Sequence, residues 1–357
     1  MIQNIPKKIC LLTDVLSHGG AEKVCANLSI ALANAGYEVS IICLQDKVKY
    51  AYAGKLINLG ENLSQIKILQ RLQWVFRIRK AIKNIDADYY IDFRYRRGIA
   101  FEGLLHLIAF PMRRMIFSMQ HARIEYHKPN GKFFDYFYNK AFSIVAVSSE
   151  IQTVLEQDYG FKNVDLIYNF SDFSKNLESV EATEKYVISV GRLNPIKQLD
   201  KLILAYSKSN LPQRNIHLYI FGEGEQKQVL EDLIMELKLT DLVKLKGFTD
   251  RIHSYIKASE FLILASKNEG FPMVLVESLQ LGTPIISFDC KTGPSEIIQD
   301  EENGLLIEDQ NFEALIVGMN RLITDEELYK QCKANAQTSI TKFSKEKVIE
   351  QWLNLLD

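Results

Sequence analysis

The sequence has no apolar run of the roughly 18–20 residues that a membrane-spanning helix needs. Its opening residues, MIQNIPKKIC, also lack the long apolar segment of a secretory signal. Cysteine is scarce, because only 5 of the 357 residues are cysteines, and their wide spacing matches no metal-site pattern. We therefore expect a cytoplasmic protein with reduced cysteines.

The chain also has almost no net charge, with 43 basic and 44 acidic residues. The charges are unevenly distributed: residues 1–175 contain 23 Lys and Arg against 16 Asp and Glu, and the remainder is acidic. A hydrophobic content of 47% is ordinary for a globular protein. A chain of 357 residues suits two domains better than one.

The most informative stretch, residues 266–284, reads SKNEGFPMVLVESLQLGTP. An apolar run before it, residues 261–265, predicts a buried parallel strand. The apolar spacing over residues 273–281 predicts a helix. The stretch is therefore expected to be a strand, a loop and a helix.

The loop residues in this stretch suit a ligand with phosphate and hydroxyl groups. Gly270 allows a tight turn, and Pro272 suits the first helical position, so a helix N-terminus with unpaired N–H groups faces the loop. Such an end favours a phosphate. The carboxylates of Glu269 and Glu277 can accept hydrogen bonds from sugar hydroxyls. A nucleotide sugar has both kinds of group.

Glu269 and Glu277, with seven residues between them, resemble the E-x7-E signature of retaining GT-B glycosyltransferases. The letters GFP inside this signature and GTP after it resemble glycosyltransferase family 4. The resemblance implies an α/β GT-B fold, in which two Rossmann-like domains face a central cleft. It also implies a nucleotide-sugar donor, with no metal or other cofactor.

Alternating strand and helix patterns agree with two such domains. A β-α-β pattern over residues 8–44 opens the chain, and the same alternation restarts at Tyr186. We expect four segments: an N-terminal acceptor-side domain over residues 1–170, a linker over 171–185, a C-terminal nucleotide-sugar domain over 186–342, and a final helix over 343–357 that packs back on the N-terminal domain.

Two candidate site positions lie in the N-terminal half. Gly19 and Gly20 fall where the first strand meets the first helix, and a tight turn without a ligand is the alternative interpretation. The resemblance implies that this loop closes over the donor phosphates. His121 follows a predicted strand, residues 115–119, and by resemblance it meets the donor sugar.

In the C-terminal half, Arg192 and Lys197 follow the first predicted strand and could neutralise a diphosphate, although a pair of surface cations is the plainer interpretation. Their spacing matches the family pattern, except that Gln198 stands where the family usually has glycine. By resemblance, Glu269 holds sugar hydroxyls and Glu277 holds the ribose. The other donor-binding candidates are Gly222, Glu223, Gly224, Phe248, Gly270, Phe271, Pro272, Met273 and Val274; a plain turn remains the alternative for the segment 222–224.

Basic residues also cluster along the N-terminal half. A solvated helix face is one interpretation, and attraction to anionic lipid or to a diphosphate-bearing acceptor is the other. No nucleic-acid recognition motif is present. Asp86 and Asp88 imitate a D-x-D metal motif, but they precede a strand, so we interpret them as a loop. The acceptor or membrane candidates are Arg77, Arg79, Arg94, Arg96 and Arg97.

Together these patterns predict a metal-independent, retaining glycosyltransferase. It would move a hexose or N-acetylhexosamine from a UDP-sugar to a saccharide acceptor, expected to be lipid-linked, in cell-surface polysaccharide or glycan assembly. We expect it in the cytoplasm, peripheral on the inner face of the membrane. The alternatives are a UDP-sugar epimerase of the same fold and an inactive nucleotide-sugar-binding protein.

Overall fold

The computed structural model describes residues 6–17, 19–61, 63–121, 123–173, 177–180 and 184–357. The chain divides into an N-terminal unit, Met1–Asp172 with Lys345–Asp357, and a C-terminal unit, Phe173–Ser344. Residues 174–176 and 181–183 of the expected linker lie outside the described residues.

A parallel sheet forms the centre of the N-terminal unit. Within the described residues its strands are β1 (Lys8–Thr13), β2 (Glu38–Cys43), β3 (Lys55–Asn58), β4 (Tyr89–Asp92), β5 (Met115–Met119), β6 (Ser143–Ala146) and β7 (Val164–Leu166). Their order is β3-β2-β1-β4-β5-β6-β7. Residues 9–12 of β1 are fully buried, as expected for a central parallel strand covered on both faces.

Helices connect these strands. They are α1 (Gly20–Asn34), α2 (Lys67–Ile85), α3 (Ile99–Leu104), α4 (Lys132–Tyr138) and α5 (Ser149–Gln157). Helix α3 continues directly into a π-helical turn, Leu105–Ala109. Helix α5 begins where the Ser148 side chain accepts a hydrogen bond from the Ile151 N–H, an N-cap that satisfies one of the unpaired donors of the first turn.

The C-terminal unit contains a second parallel sheet. In the part of this unit that the structure describes, the strands are β8 (Tyr186–Val190), β9 (His217–Phe221), β10 (Val243–Gly247), β11 (Leu262–Leu264), β12 (Ile285–Phe288) and β13 (Gly304–Ile307). Their order is β10-β9-β8-β11-β12-β13. The expected α/β architecture with two Rossmann-like domains is therefore confirmed.

The helices of this unit are α6 (Leu199–Lys208), α7 (Lys227–Glu236), α8 (Ile252–Ala258), α9 (Met273–Gln280), α10 (Pro294–Ile297), α11 (Phe312–Thr324) and α12 (Glu326–Ser339). Apolar side chains from α6, α7, α11 and α12 are buried in one core with side chains from the sheet. The core holds the strand ends and the loops after them in place.

The last helix, α13 (Lys345–Leu356), belongs to the N-terminal unit. It buries Val348, Trp352 and Leu356. The Lys7 ammonium group donates a hydrogen bond to the Leu356 carbonyl at 2.9 Å. None of the helices in the described ranges combines the length and the apolar composition that crossing a bilayer requires.

Candidate functional site

The C-terminal sheet reverses its strand order between β8 and β11. From β8 the chain continues outward through β9 and β10, and from β11 it continues the other way through β12 and β13. Ligands of open parallel sheets bind at the carboxyl ends of the strands where such a reversal occurs. The loops after β8 and β11 carry Lys197 and Glu269, so these predicted residues lie at the edge where a ligand is expected.

Lys197 and Glu269 form an ion pair. The Lys197 Nζ lies 2.5 Å from the Glu269 Oε1, although the residues are 72 positions apart in sequence. Their side chains are 21% and 14% exposed, so the pair is partly shielded but still open to solvent. The backbone also joins the two loops, because the Lys267 N–H donates to the Ile196 carbonyl at 2.8 Å. The structure thus brings a cation and a carboxylate of the predicted site together.

A short 3₁₀ turn, Pro195–Lys197, fixes the position of Lys197. The Asn194 side chain accepts a hydrogen bond from the Lys197 N–H at 3.3 Å and so caps the turn. The next residue, Gln198, has a left-handed backbone with φ of 49°. Glycine adopts this conformation at low cost, which explains the usual glycine at this position; Gln198 adopts it at the cost of some backbone strain.

The loop after β8 is packed backbone to backbone against the loop after β9. A Cβ on Gly222 would lie 1.8 Å from the Gly191 carbonyl oxygen, and one on Gly224 would lie 2.2 Å from the Leu193 carbonyl oxygen. The Leu193 N–H donates to the Glu223 carbonyl at 2.9 Å. The two glycines are therefore required by close packing, a stronger reason than the plain turn considered from sequence.

A third loop supports the backbone of Glu269. The Glu269 N–H donates to the Lys291 carbonyl at 2.8 Å, and the Thr292 N–H donates to the Glu269 carbonyl at 3.1 Å. The Thr292 hydroxyl donates to the Gly270 carbonyl at 2.5 Å. These contacts hold the turn before α9, so the carboxylate of Glu269 extends from a fixed backbone.

Other predicted donor-binding residues surround this turn. Pro272 directly precedes α9, which begins at Met273, and Met273 and Val274 are partly exposed in its first turn. The ring of Phe271 is buried and lies 5.2 Å from the ring of Phe343. The Phe271 ring therefore contributes to the packing of this turn.

Glu277 has a partner that the sequence does not reveal. Its Oε2 lies 3.7 Å from the His253 Nε2 of α8, and the Phe173 ring stacks on the His253 ring with centroids 4.1 Å apart. No motif marks His253, because the contact depends on the packing of α8 against α9. Arg192, Glu223 and Phe248 are exposed in the loops after β8, β9 and β10.

The N-terminal candidates lie at carboxyl ends of strands in their own sheet. The Gly19 N–H donates to the Tyr50 hydroxyl at 3.2 Å, which anchors the loop before α1. No atom lies within 4 Å of a Cβ placed on Gly20. His121 follows β5, and its Nδ1 accepts a hydrogen bond from the Arg123 N–H at 3.0 Å. The neutral ring therefore carries its proton on Nε2.

Arg94 is buried in an ion cluster, so its prediction as a surface or acceptor-binding residue is wrong. Its Nε donates to Asp92 Oδ1 at 2.9 Å, one Nη donates to Asp92 Oδ2 at 2.7 Å, and Glu102 lies 3.6 Å away. Burial raises the pKa of Asp92 and of Glu102, and Arg94 opposes both shifts. Burial lowers the pKa of Arg94, but the two carboxylates outweigh it and the net shift is upward.

Three other predicted cations also use their guanidinium groups within the fold. Arg77 donates to two backbone carbonyls, the shorter at 2.6 Å, and Arg96 donates to the Lys128 carbonyl at 2.6 Å. Arg97 pairs with Asp14 at 2.6 Å and lies over the ring of Trp74. Among the five predicted arginines, Arg79 is the one with an exposed side chain.

The two aspartates that imitate a metal motif have structural contacts. Asp86 pairs with Arg114 at 2.8 Å, and Asp88 accepts a hydrogen bond from the Lys8 N–H at 2.7 Å. Asp88 therefore fixes the start of β1. Across the described parts of the chain, no group of three or more His, Cys, Asp or Glu side chains is arranged to hold a metal ion.

Comparisons with known families cover both units. The profile of the family Glycosyl transferases group 1 matches residues 171–339, and that of Glycosyltransferase Family 4 matches residues 18–175. The first match covers all strands of the C-terminal sheet, and the second covers strands β2 to β7 of the N-terminal sheet. Each profile therefore matches most of one Rossmann-like unit.

Two full-length relatives are named as glycosyltransferases. The chain is 31% identical over 368 residues to the Campylobacter jejuni N-acetylgalactosamine-N,N'-diacetylbacillosaminyl-diphospho-undecaprenol 4-alpha-N-acetylgalactosaminyltransferase, covering 98% of this chain and 99% of that one. It is 26% identical to the amylovoran biosynthesis glycosyltransferase AmsD of Erwinia amylovora over 98% of this chain and 99% of AmsD.

A solved structure shows the same fold. The crystal structure of a Staphylococcus aureus TarM mutant in complex with fondaparinux, alpha-GlcNAc-glycerol and UDP matches with a TM-score of 0.81 at 16% identity, covering 98% of this chain and 100% of that one. The sheet topology, the two family profiles and the full-length similarity agree. This chain belongs to the group 1, family 4 glycosyltransferases and has the GT-B fold.

Proposed function

We propose that this chain is a retaining, metal-independent glycosyltransferase. It transfers a hexose or N-acetylhexosamine from a UDP-sugar to a lipid-linked saccharide during the assembly of a cell-surface polysaccharide or glycan. The observation that carries the proposal is the Lys197–Glu269 pair at the reversal of strand order, where a cation and a carboxylate lie 2.5 Å apart.

The chemistry follows from the charges of this pair. The bond between the sugar C1 and the β-phosphate oxygen breaks, the acceptor oxygen bonds to C1 from the same face, and the acceptor proton passes to the leaving phosphate. Lys197 stabilises the negative charge that grows on the diphosphate. Fixed electrostatic interactions of this kind supply most of the rate acceleration in many enzymes. Glu269 keeps Lys197 in position and accepts hydrogen bonds from sugar hydroxyls.

The other predicted residues have supporting roles. Arg192 contributes a second cation from the same loop, and Glu277 holds the ribose hydroxyls. His121 can donate a hydrogen bond from Nε2, because its Nδ1 already accepts one from the Arg123 N–H. It is proposed to hold the transferred sugar.

The similar proteins support the donor and acceptor classes. The Campylobacter relative, which is 31% identical over 98% of this chain, is named for an N-acetylgalactosaminyl group and a diphospho-undecaprenol acceptor. The TarM complex contains UDP. A UDP-linked N-acetylhexosamine and a polyprenyl-diphosphate saccharide are therefore the first donor and acceptor to test.

The test measures transfer by wild type and by Lys197→Met. UDP-sugars are screened for binding by thermal shift, and the best binder is incubated with a polyprenyl-diphosphate saccharide, with and without EDTA. We expect a product with the donor's anomeric configuration by NMR, unaffected by EDTA. Lys197→Met should lower kcat roughly 100- to 1,000-fold, the usual cost of removing one such electrostatic contact.

The matched control is Lys330→Met, which breaks an exposed ion pair with Glu326 on α12 and should leave turnover unchanged. Wild-type turnover by Lys197→Met would refute the role of the ion pair, and an inverted product would refute retention. An epimerase would convert the donor without acceptor. An inactive binding protein would bind the donor without transferring or hydrolysing it.

A further inference from the structure

Helix α2 exposes large apolar side chains on its solvent face. Ile68, Leu69, Leu72 and Phe76 are 71%, 48%, 38% and 61% exposed. The opposite face is buried through Trp74, Val75, Ile78, Ala81 and Ile82. The exposed residues follow helical spacing, so they form one strip that packing within the described structure leaves uncovered.

The same face becomes cationic toward the end of the helix. Arg79, Lys80 and Lys83 are exposed and continue the strip begun by Ile68, Leu72 and Phe76, because positions 68, 72, 76, 79 and 83 repeat at helical spacing. We call these seven residues the α2 face: Ile68, Leu69, Leu72, Phe76, Arg79, Lys80 and Lys83. The helix as a whole, Lys67–Ile85, contains no acidic residue.

Two more exposed apolar side chains lie on α3 and on the π-helical turn after it, next to α2. The Trp74 ring of α2 lies 6.3 Å from the Phe101 ring of α3, so the two helices are in contact. Ile99 at the start of α3 and Leu107 in the π-helical turn are 68% and 60% exposed.

Charge distinguishes among possible occupants of this surface. A two-fold contact between copies would place the α2 face against itself and cover its cations without a carboxylate to pair with them, since α2 contains none. A nucleic acid would pair with the cations, but its charged backbone would not bury the aliphatic strip. An anionic bilayer fits both parts, since apolar side chains enter the boundary between headgroups and acyl chains while Lys and Arg reach lipid phosphates.

We propose that the α2 face docks on an anionic membrane surface, with Ile68, Leu72 and Phe76 inserted below the headgroups and Arg79, Lys80 and Lys83 on the lipid phosphates. The inference rests on the proposed function, because docking would place the enzyme on the membrane surface where a lipid-linked acceptor lies. Its test needs no catalysis, so failure of docking and failure of the transferase proposal are distinguishable.

The test is flotation of the full chain with phosphatidylcholine vesicles that contain or lack phosphatidylglycerol. We expect binding only with phosphatidylglycerol, weakening as salt increases. Ile68→Ser with Phe76→Ser should abolish flotation. The triple variant Arg79→Gln, Lys80→Gln, Lys83→Gln should weaken it by roughly fivefold per charge removed.

Matched controls lie on the C-terminal unit. Val229→Ser with Met235→Ser removes two similarly exposed apolar side chains from α7. Lys208→Gln, Lys227→Gln and Lys238→Gln removes three exposed cations. Both controls should float like wild type, and circular dichroism checks that each variant is folded.

Three outcomes would overturn the proposal. The first is a wild type that shows no preference for vesicles with phosphatidylglycerol, and the second is a set of controls that lose as much binding as the α2 variants. In the third, the charge variant weakens binding while the serine variant does not. That result would mean that α2 binds phosphate groups without inserting into the bilayer.

Discussion

At the scale of single residues, the buried position of Arg94 depends on its side-chain partners. Its guanidinium is buried with Asp92 and Glu102, and removing one member of such a cluster leaves the others charged and unpaired. We predict that Arg94→Met lowers the free energy of unfolding by about 3–5 kcal/mol.

Urea unfolding followed by tryptophan fluorescence measures this effect, because Trp74 and Trp352, the two tryptophans of the chain, belong to the N-terminal unit. Arg79→Met is the control, since it removes the same charge from an exposed position and should change stability by less than about 0.5 kcal/mol. Equal effects of the two substitutions would contradict the prediction that the buried ion cluster of Arg94 contributes to stability.

The proximity of Lys197 and Glu269 follows from sequence patterns, but the burial of Arg94 does not. The two loop residues follow buried strands, and parallel strands place their carboxyl ends at one edge of the sheet, so proximity follows from topology. Arg94 also follows a strand, but it is buried in a cluster with Asp92 and with Glu102, which lies eight positions away on α3. No local pattern distinguishes such an arginine from an exposed one.

At the scale of elements, central strands and amphipathic helices are predictable and short edge strands are not. The expected strand over residues 115–119 agrees with β5, and the expected helix over residues 273–281 agrees with α9 to within one residue. Residues 55–58 and 164–166 carry no buried apolar run, and the strands they form, β3 and β7, lie at the two edges of their sheet. Edge strands bury less side-chain surface, so the hydrophobic signal that marks a central strand is missing.

The close packing of the loops after β8 and β9 leads to a prediction about the stability of Gly222 variants. Gly222 has φ of 139° and its Cβ position lies 1.8 Å from a backbone oxygen, so Gly222→Ala must displace the loop that carries Lys197. We expect the free energy of unfolding to fall by roughly 1–3 kcal/mol because of the backbone conformation, and to fall further because of the clash.

Gly247→Ala is the matched control for Gly222→Ala, because Gly247 has φ of 70° with no atom within 4 Å of its Cβ position. It should show the conformational cost alone. Urea unfolding of both variants, followed by far-UV circular dichroism, tests the difference. The proposed packing of the two loops fails if Gly247→Ala is the more damaging substitution.

At the scale of the whole molecule, α13 makes the N-terminal unit discontinuous in sequence. Deleting residues 345–357 would remove three buried apolar side chains, Val348, Trp352 and Leu356, each worth roughly 1.5–3 kcal/mol of burial. The sum is comparable to the total stability of a typical domain. We predict that the truncated chain loses the cooperative unfolding transition of its N-terminal unit.

Trp74 fluorescence reports that unit in the truncated chain, because Trp352 is deleted. Far-UV circular dichroism should still show one cooperative transition, from the C-terminal unit, whose described residues form a core of their own. A truncated chain in which the Trp74 transition keeps its wild-type urea midpoint would show that α13 contributes little to stability.

The course of the chain between the units has one more consequence. The backbone leaves the N-terminal unit after Asp172 and returns at Lys345, and the side chains of these two residues pair at 2.6 Å. A segment whose two ends lie close together can be exchanged for another domain at two adjacent junctions, and the path of the remaining chain does not have to change. Recombination can therefore replace residues 173–344 as one module while the remaining scaffold is inherited unchanged.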